Sequence, residues 1–231
     1  MRELILDTET TNLDYQGSGR IVEIGIVELV DRYQTGEEYH QYINPEAEVS
    51  EAALKVHGLD NSKLEQHPTF SEIVDGLLEF IGQDLLVVHN AKFDRGFLNK
   101  ELALAGRELL PAVRVFDTLD LARSTLPQRA QHNLDALCRY YRIDGAGREL
   151  HGALIDARLL AEVYLRLLQD SQGDGDMLEY LERQGRASSP QVSKKRRRSI
   201  SAQLTDAERQ AHRKYVEKTL GPNALWLNYL Q

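Results

Sequence analysis

The stretches ELILDTET, residues 3–10, and IVEIGIVELV, residues 21–30, decide the fold. The first opens with the short apolar run 3–7, and the second is longer and rich in β-branched residues, so both predict buried β-strands. A third strand is expected at 37–43, where polar and apolar residues partly alternate before Asn44-Pro45. The chain therefore begins with three strands.

Helical and strand patterns alternate after these three strands. Helical spacing is expected around 50–56, 69–82, 91–105, 132–141 and 153–169, and compact apolar runs predict strands at 85–89 and 113–117. Three early strands followed by this alternation predict an α/β domain with a mixed sheet and flanking helices.

The composition changes near Gln169. Residues 171–203 are rich in Gly, Ser, Gln and charged residues, which is typical of a flexible linker. A helix signal then begins with the capping-box pattern of Thr205–Glu208 and ends at Gly221-Pro222, before the apolar ending ALWLNYL. We expect a folded domain at 1–170, a flexible linker at 171–203 and a short helical tail at 204–231 that docks on a partner.

Charge is distributed unevenly along the chain, whose formal net charge is −8. Residues 1–170 hold 17 Lys and Arg against 29 Asp and Glu, whereas the remaining residues are net basic. An acidic body repels phosphate, so nucleic-acid binding requires bound cations or a partner protein. The basic run Lys194–Arg198 is typical of a solvated linker as much as of a DNA contact.

Cysteine usage and hydropathy indicate the compartment. No apolar run reaches the roughly 18–20 residues needed to span a bilayer, and the N-terminal stretch lacks the features of a signal peptide. The single Cys138 excludes an intramolecular disulfide, and we expect it to be a small core residue in a reducing environment. These observations predict a cytoplasmic protein without membrane association.

Four acidic residues occupy positions that ordinary folding avoids. Asp7 ends the first apolar run and Glu9 follows two residues later, so strand alternation puts both side chains on one face. Asp94 and Asp156 project from or beside the apolar stripes of their helices. Carboxylates that converge without basic partners repel one another, and Mg²⁺ or Mn²⁺ relieves that repulsion. Each residue alone is more often a turn former or a helix cap, so only the joint pattern predicts a metal centre.

His151 precedes Asp156 by five residues. On a continuous helix the two would lie about 140° apart, so they would not share a face. We therefore expect His151 in the loop before the helix, where a near-neutral imidazole can accept a proton from an attacking water. Taken alone, it is more often a surface or capping histidine.

Together these residues resemble the motifs of the DEDD exonuclease superfamily, in its histidine-containing branch. The first motif is similar to Asp7–Thr11, the second to His89–Asp94 and the third to His151–Ala157, with a supporting segment at 133–137. The resemblance implies a ribonuclease-H-like fold with a mixed five-stranded sheet. It also implies a 3′→5′ exonuclease that hydrolyses phosphodiesters with two metal ions.

The resemblance further implies roles for individual residues. Two divalent cations, Mg²⁺ or Mn²⁺, would be held by Asp7, Glu9, Asp94 and Asp156, with His151 as the general base. The terminal nucleotide would contact Asp7, Glu9, Thr10, His57 and Asp156. For His57 a turn histidine before Gly58 is an equally good interpretation.

Within the superfamily the chain is similar to the proofreading subunits of bacterial replicative DNA polymerases. This likeness rests on 133–138, on 150–164 and on the order of nuclease domain, polar linker and short tail with Trp226. It implies a single-stranded or frayed DNA 3′ end as substrate and binding of the polymerase catalytic subunit through 204–231. The polymerase and its sliding clamp would then hold the DNA. A clamp contact through the linker has one loose candidate, at 172–177.

Two other functions remain open. A stand-alone exoribonuclease of the same superfamily would use the same residues, because the metals act on the phosphate and any readout of the 2′-OH lies elsewhere. The linker and tail argue against it. The second is a non-catalytic polymerase scaffold, which would gain stability by losing the repulsive carboxylates that this chain retains.

Overall fold

A mixed sheet forms the centre of the computed structural model, which describes residues 1–145 and 150–171. Its strands are β1 (Arg2–Thr10), β2 (Ile21–Val30), β3 (Tyr33–Tyr42), β4 (Leu85–Val88) and β5 (Val115–Asp117). They lie in the order β3-β2-β1-β4-β5. β2 pairs antiparallel with β1 and β3, whereas β4 pairs parallel with β1 and β5. The five-stranded mixed sheet predicted from the sequence is confirmed.

Seven helices flank the sheet in the described part of the chain. They are α1 (Glu51–His57), α2 (Asn61–Leu64), α3 (Phe70–Ile81), α4 (Ala91–Leu104), α5 (Thr118–Thr125), α6 (Leu134–Tyr141) and α7 (Ala153–Asp170). The sequence patterns predicted all of them except α2 and α5. α2 has only four residues, too few for an apolar stripe, and α5 begins directly after β5, so that no loop signal separates them.

Three strands differ from their predicted bounds by more than one residue, for identifiable reasons. β1 does not end at Asp7 but continues to Thr10, because its last residues pair with β2. β3 begins at Tyr33 because Asp31 and Arg32, with φ of 49° and 68°, make the tight turn that joins it to β2. The first part of the expected strand at 113–117 is instead a 3-10 turn, Ala112–Arg114, which follows a proline.

The hydrophobic core lies on both faces of the sheet. Leu4 and Leu6 pack with α3 and α4, whereas Ile5 packs with α5, α6 and α7. Cys138 is buried in the same cluster as Ile5, in the core as predicted. Because strand side chains alternate, the end of β1 presents side chains to both helical layers.

Several sequence predictions concern other parts of the chain. The linker beyond Ser171, the tail at 204–231, the run Lys194–Arg198 and the clamp candidate at 172–177 lie outside the described residues. Among the helices that are described, none is both long enough and apolar enough to cross a membrane.

Candidate active site

The first two acidic residues lie near the end of β1. Asp7 and Glu9 are both half-buried. Because they are two residues apart on a strand, their side chains face the same layer, as predicted. Their register partners on β2 are Gly25 and Glu23. The regular pairing shifts immediately after Glu9, at the boundary with Thr10.

The third motif meets this strand end at the start of α7. Asp156 lies in the first turn of the helix and is only 3% exposed. His151 lies in the preceding loop, as expected, yet its Nδ1 is 3.0 Å from Asp156 Oδ2. The helical separation of 140° does not apply, since the histidine precedes the helix and its ring reaches back over the first turn. Ligand atoms of Glu9, His151 and Asp156 all lie within 4.8 Å of one another.

A glycine on β2 allows α7 to approach so closely. A Cβ on Gly25 would stand 2.2 Å from the Leu154 nitrogen and 2.3 Å from the Ala153 carbonyl carbon. The first turn of α7 therefore lies directly on the backbone of β2. Gly25 is the register partner of Asp7, which lies two residues before Glu9 on β1. The close contact at Gly25 therefore brings Asp156, in the first turn of α7, near Glu9.

Asp94 belongs to the same strand end but approaches from the other layer. It lies in the first turn of α4, is 3% exposed and accepts a hydrogen bond of 2.8 Å from Thr8 Oγ1. Burial raises the pKa of Asp94 to about 7, against the opposing effect of the Thr8 hydrogen bond. The structure thus joins Asp94 to the strand between Asp7 and Glu9, but outside the group of Glu9, His151 and Asp156.

Asp117 holds the second motif in place, and sequence reasoning missed it. Its carboxylate accepts the backbone N–H groups of Asn90 (3.0 Å), Ala91 (2.9 Å) and Leu119 (2.9 Å). One side chain therefore caps both α4 and α5, and it fixes the turn that carries Asp94. The sequence does contain a signal for this role, because Asp117 ends a strand and directly precedes a helix, where aspartate is a common N-cap.

A pocket of ≈ 420 Å³ opens beside Glu9. Its lining combines polar and apolar groups, and Leu13 at its rim is 83% exposed. The remaining lining residues come from β1, α1 and their neighbours: Thr8, Thr10, Asn12, Ser50, Ala52, Ala53, Val56, His57 and Phe93. This volume and mixed lining are typical of sites for small organic ligands.

His57 connects α1 to the end of β1. It is buried, and its Nδ1 accepts the Leu59 N–H at 3.1 Å, so the ring proton lies on Nε2, 3.3 Å from the Thr10 carbonyl oxygen. Burial lowers the pKa of His57, which favours the neutral ring. His57 thus occupies the helix end before Gly58 that the turn interpretation expected, and it also lines the pocket.

The loop at the rim of the pocket is tied to α4. Arg20 forms a two-pronged ion pair with buried Glu101, with distances of 2.8 and 3.0 Å. Lys100 Nζ donates to the carbonyl oxygens of Gly17 and Gly19. The loop that carries Leu13 is therefore held by the same helix as Asp94.

Comparison with known proteins places this chain in a family. Residues 4–164 match the exonuclease family of the RNase_T type. The chain is 42% identical over 224 residues to the DNA polymerase III subunit epsilon of Rickettsia conorii, covering 95% of this chain and 97% of that protein. It is 37% identical over 238 residues to the same subunit of Escherichia coli K12, covering 97% of both.

Solved structures share the fold at low sequence identity. Exonuclease X in complex with 5′ overhanging duplex DNA aligns with a TM-score of 0.62 at 22% identity, over 78% of this chain and 98% of that one. The nuclease domain of 3′hExo, a DEDDh family member bound to rAMP, aligns with a TM-score of 0.63 at 19% identity, over 73% and 92%. The chain belongs to this exonuclease family and, within it, to the family of DNA polymerase III epsilon subunits.

Proposed function

We propose that the chain removes mispaired nucleotides from DNA 3′ ends by metal-dependent hydrolysis, with His151 as general base, as the proofreading subunit of a cytoplasmic replicative polymerase. The observation that carries this proposal is the convergence of Glu9, His151 and Asp156 within 4.8 Å. Glu9 also lines the pocket of ≈ 420 Å³, so ligand-binding space and reactive groups adjoin.

The donor set fits divalent cations. Its oxygens belong to carboxylates, which hard cations prefer. Asp94 is a buried carboxyl with a pKa of about 7, and a nearby positive ion would stabilise its anionic form. Two ions, Mg²⁺ or Mn²⁺, would be held by Asp7, Glu9, Asp94 and Asp156. When bound, they would lower the pKa of water and stabilise the charge that develops on the phosphate.

His151 is suited to removing the proton of the attacking water. A carboxylate oxygen can only accept, so the contact with Asp156 fixes the ring hydrogen on Nδ1 and leaves the lone pair on Nε2. The His151 side chain is 42% exposed, so solvent can reach it. Cleavage of the terminal phosphodiester then releases a 5′-mononucleotide.

The pocket suits the terminal nucleoside of a strand. Leu13 and Phe93 offer apolar surface to a base, and Thr10 and His57 lie at the end next to Glu9. DNA is the favoured substrate because the relatives at 37–42% identity are subunits of a DNA polymerase. We assign binding of the polymerase catalytic subunit to 204–231, and a clamp contact to the linker, because the acidic body attracts DNA poorly by itself.

A matched degradation assay tests the proposal. Single-stranded DNA and RNA of one sequence, labelled at either end, are incubated with wild type or Asp7→Ala in Mg²⁺ or EDTA. We expect removal of DNA nucleotides from the 3′ end that requires Mg²⁺ and is lost in the variant. A strong preference for RNA would favour the exoribonuclease, and inactivity on both would favour the scaffold.

A further inference from the structure

Helix α1 contacts both the pocket beside Glu9 and the loop that carries His151. Val56 and His57 line the pocket, on the side that faces the end of β1. The carbonyl oxygen of Val56 accepts the backbone N–H of His151 at 3.0 Å. One residue of the pocket wall is therefore bonded directly to the backbone of the general base.

Gly58 provides a second contact between α1 and the histidine loop. It ends the helix in the left-handed conformation, with φ of 70°. A Cβ on Gly58 would lie 2.5 Å from Leu150 Cδ1, so the leucine side chain fills the space that this glycine leaves. Residues 150 and 151 thus rest on the end of α1 through one apolar contact and one hydrogen bond.

We propose that α1 couples occupancy of the nucleotide pocket to the position of His151, with Gly58 and Leu150 as positioning residues. This inference rests on the proposed function. A seven-residue helix has few hydrogen bonds of its own, so its position depends on what packs against it. Val56 is 44% exposed, and a nucleoside that covers it adds packing to one side of α1. The Val56 carbonyl then holds the His151 backbone more firmly.

Hydrogen exchange and steady-state kinetics test this coupling. In the wild-type chain, a deoxynucleoside 5′-monophosphate with Mg²⁺ should slow exchange of the His151 amide. Gly58→Ala should weaken that protection and lower kcat by about 10-fold at most, because the added Cβ displaces the Leu150 side chain from the end of α1 while the Val56–His151 hydrogen bond remains. KM for the oligonucleotide and Mn²⁺ binding measured by electron paramagnetic resonance should stay at wild-type values.

Gly106→Ala is the matched control. Gly106 has φ of 65°, nearly that of Gly58, but nothing lies within 4 Å of its added Cβ. It therefore carries the same backbone strain without touching the histidine loop. Its kcat and His151 exchange should equal those of the wild type.

Leu150→Ala keeps the coupling testable if Gly58→Ala folds poorly. It removes the seated side chain without straining residue 58, and it should lower kcat as well. The double variant should lose no more than Gly58→Ala alone, because both changes break one contact. Equal kcat and equal exchange in Gly58→Ala, Leu150→Ala and Gly106→Ala would overturn the coupling. An inactive wild type would instead overturn the proposed function.

Discussion

Because α7 approaches β2 so closely, we predict that Gly25→Ala moves His151 and Asp156 away from Glu9. The added Cβ would stand 2.2–2.4 Å from backbone atoms of Ala153 and Leu154, whereas ordinary contact begins at 3.4 Å. Backbone atoms cannot rotate away as a side chain can. The start of α7 must therefore retreat by more than 1 Å, and His151 and Asp156 move with it while Glu9 stays on β1.

The size of this shift sets the expected effect. A misplacement of about 1 Å in an active site costs on the order of 10²-fold in rate, and overpacking a close contact costs about 1–3 kcal/mol of unfolding free energy. We expect Gly25→Ala to fold with a lowered melting temperature and to lose about 10²-fold in kcat on labelled single-stranded DNA at saturating Mg²⁺.

Gly76→Ala is the control for adding a methyl group elsewhere. Gly76 lies within α3 with nothing within 4 Å of the added Cβ, so alanine should stabilise the helix by roughly 0.5–1 kcal/mol and leave kcat unchanged. If Gly25→Ala is folded and as active as Gly76→Ala, the reasoning from the helix–strand contact is refuted.

Further perturbations test the rest of the site and the C-terminal part of the chain. His151→Ala should slow hydrolysis by roughly 10²–10⁴-fold but leave Mn²⁺ affinity nearly intact, and a strong loss of affinity would contradict its role as base. Asp117→Ala should lower the free energy of unfolding by about 1–2 kcal/mol, measured by denaturant titration, and reduce kcat because the turn that carries Asp94 loses its cap. Because the pKa of Asp94 is raised from 3.8 to about 7, unfolding free energy in EDTA should fall as pH rises between these values. Asp94→Asn should remove that fall and abolish activity. Deletion of 204–231 should spare activity on short oligonucleotides and abolish co-purification with the polymerase.

Local patterns predicted much of the fold. β2 has the bounds expected from IVEIGIVELV, and α4 and α7 agree with their predicted ranges within one residue at each end. Their apolar periodicities are long, and tertiary contacts reinforce them. The turn between β2 and β3 was missed because Asp31 and Arg32 take positive φ without the glycine that usually signals such a turn.

The site was predictable where one local rule decides the geometry. Strand alternation put Asp7 and Glu9 on one face, and helical periodicity put His151 before α7. The role of Gly25 was not predictable, because it depends on a helix that begins 128 residues later in the chain. The position of Asp94 depends likewise on Thr8, whose side chain faces the other layer.

The charge of the body determines which kinetic constant reports on which feature. Residues 1–170 hold 17 basic against 29 acidic residues, so this part of the chain adds little attraction to the approach of free DNA. Tethering to a polymerase would raise the local concentration of the strand end without changing the chemistry. KM on free oligonucleotides therefore reflects a binding step that a tethered subunit would not face. Losses from Gly25→Ala, Gly58→Ala and His151→Ala should consequently be found in kcat, and should persist when the DNA is delivered by the polymerase.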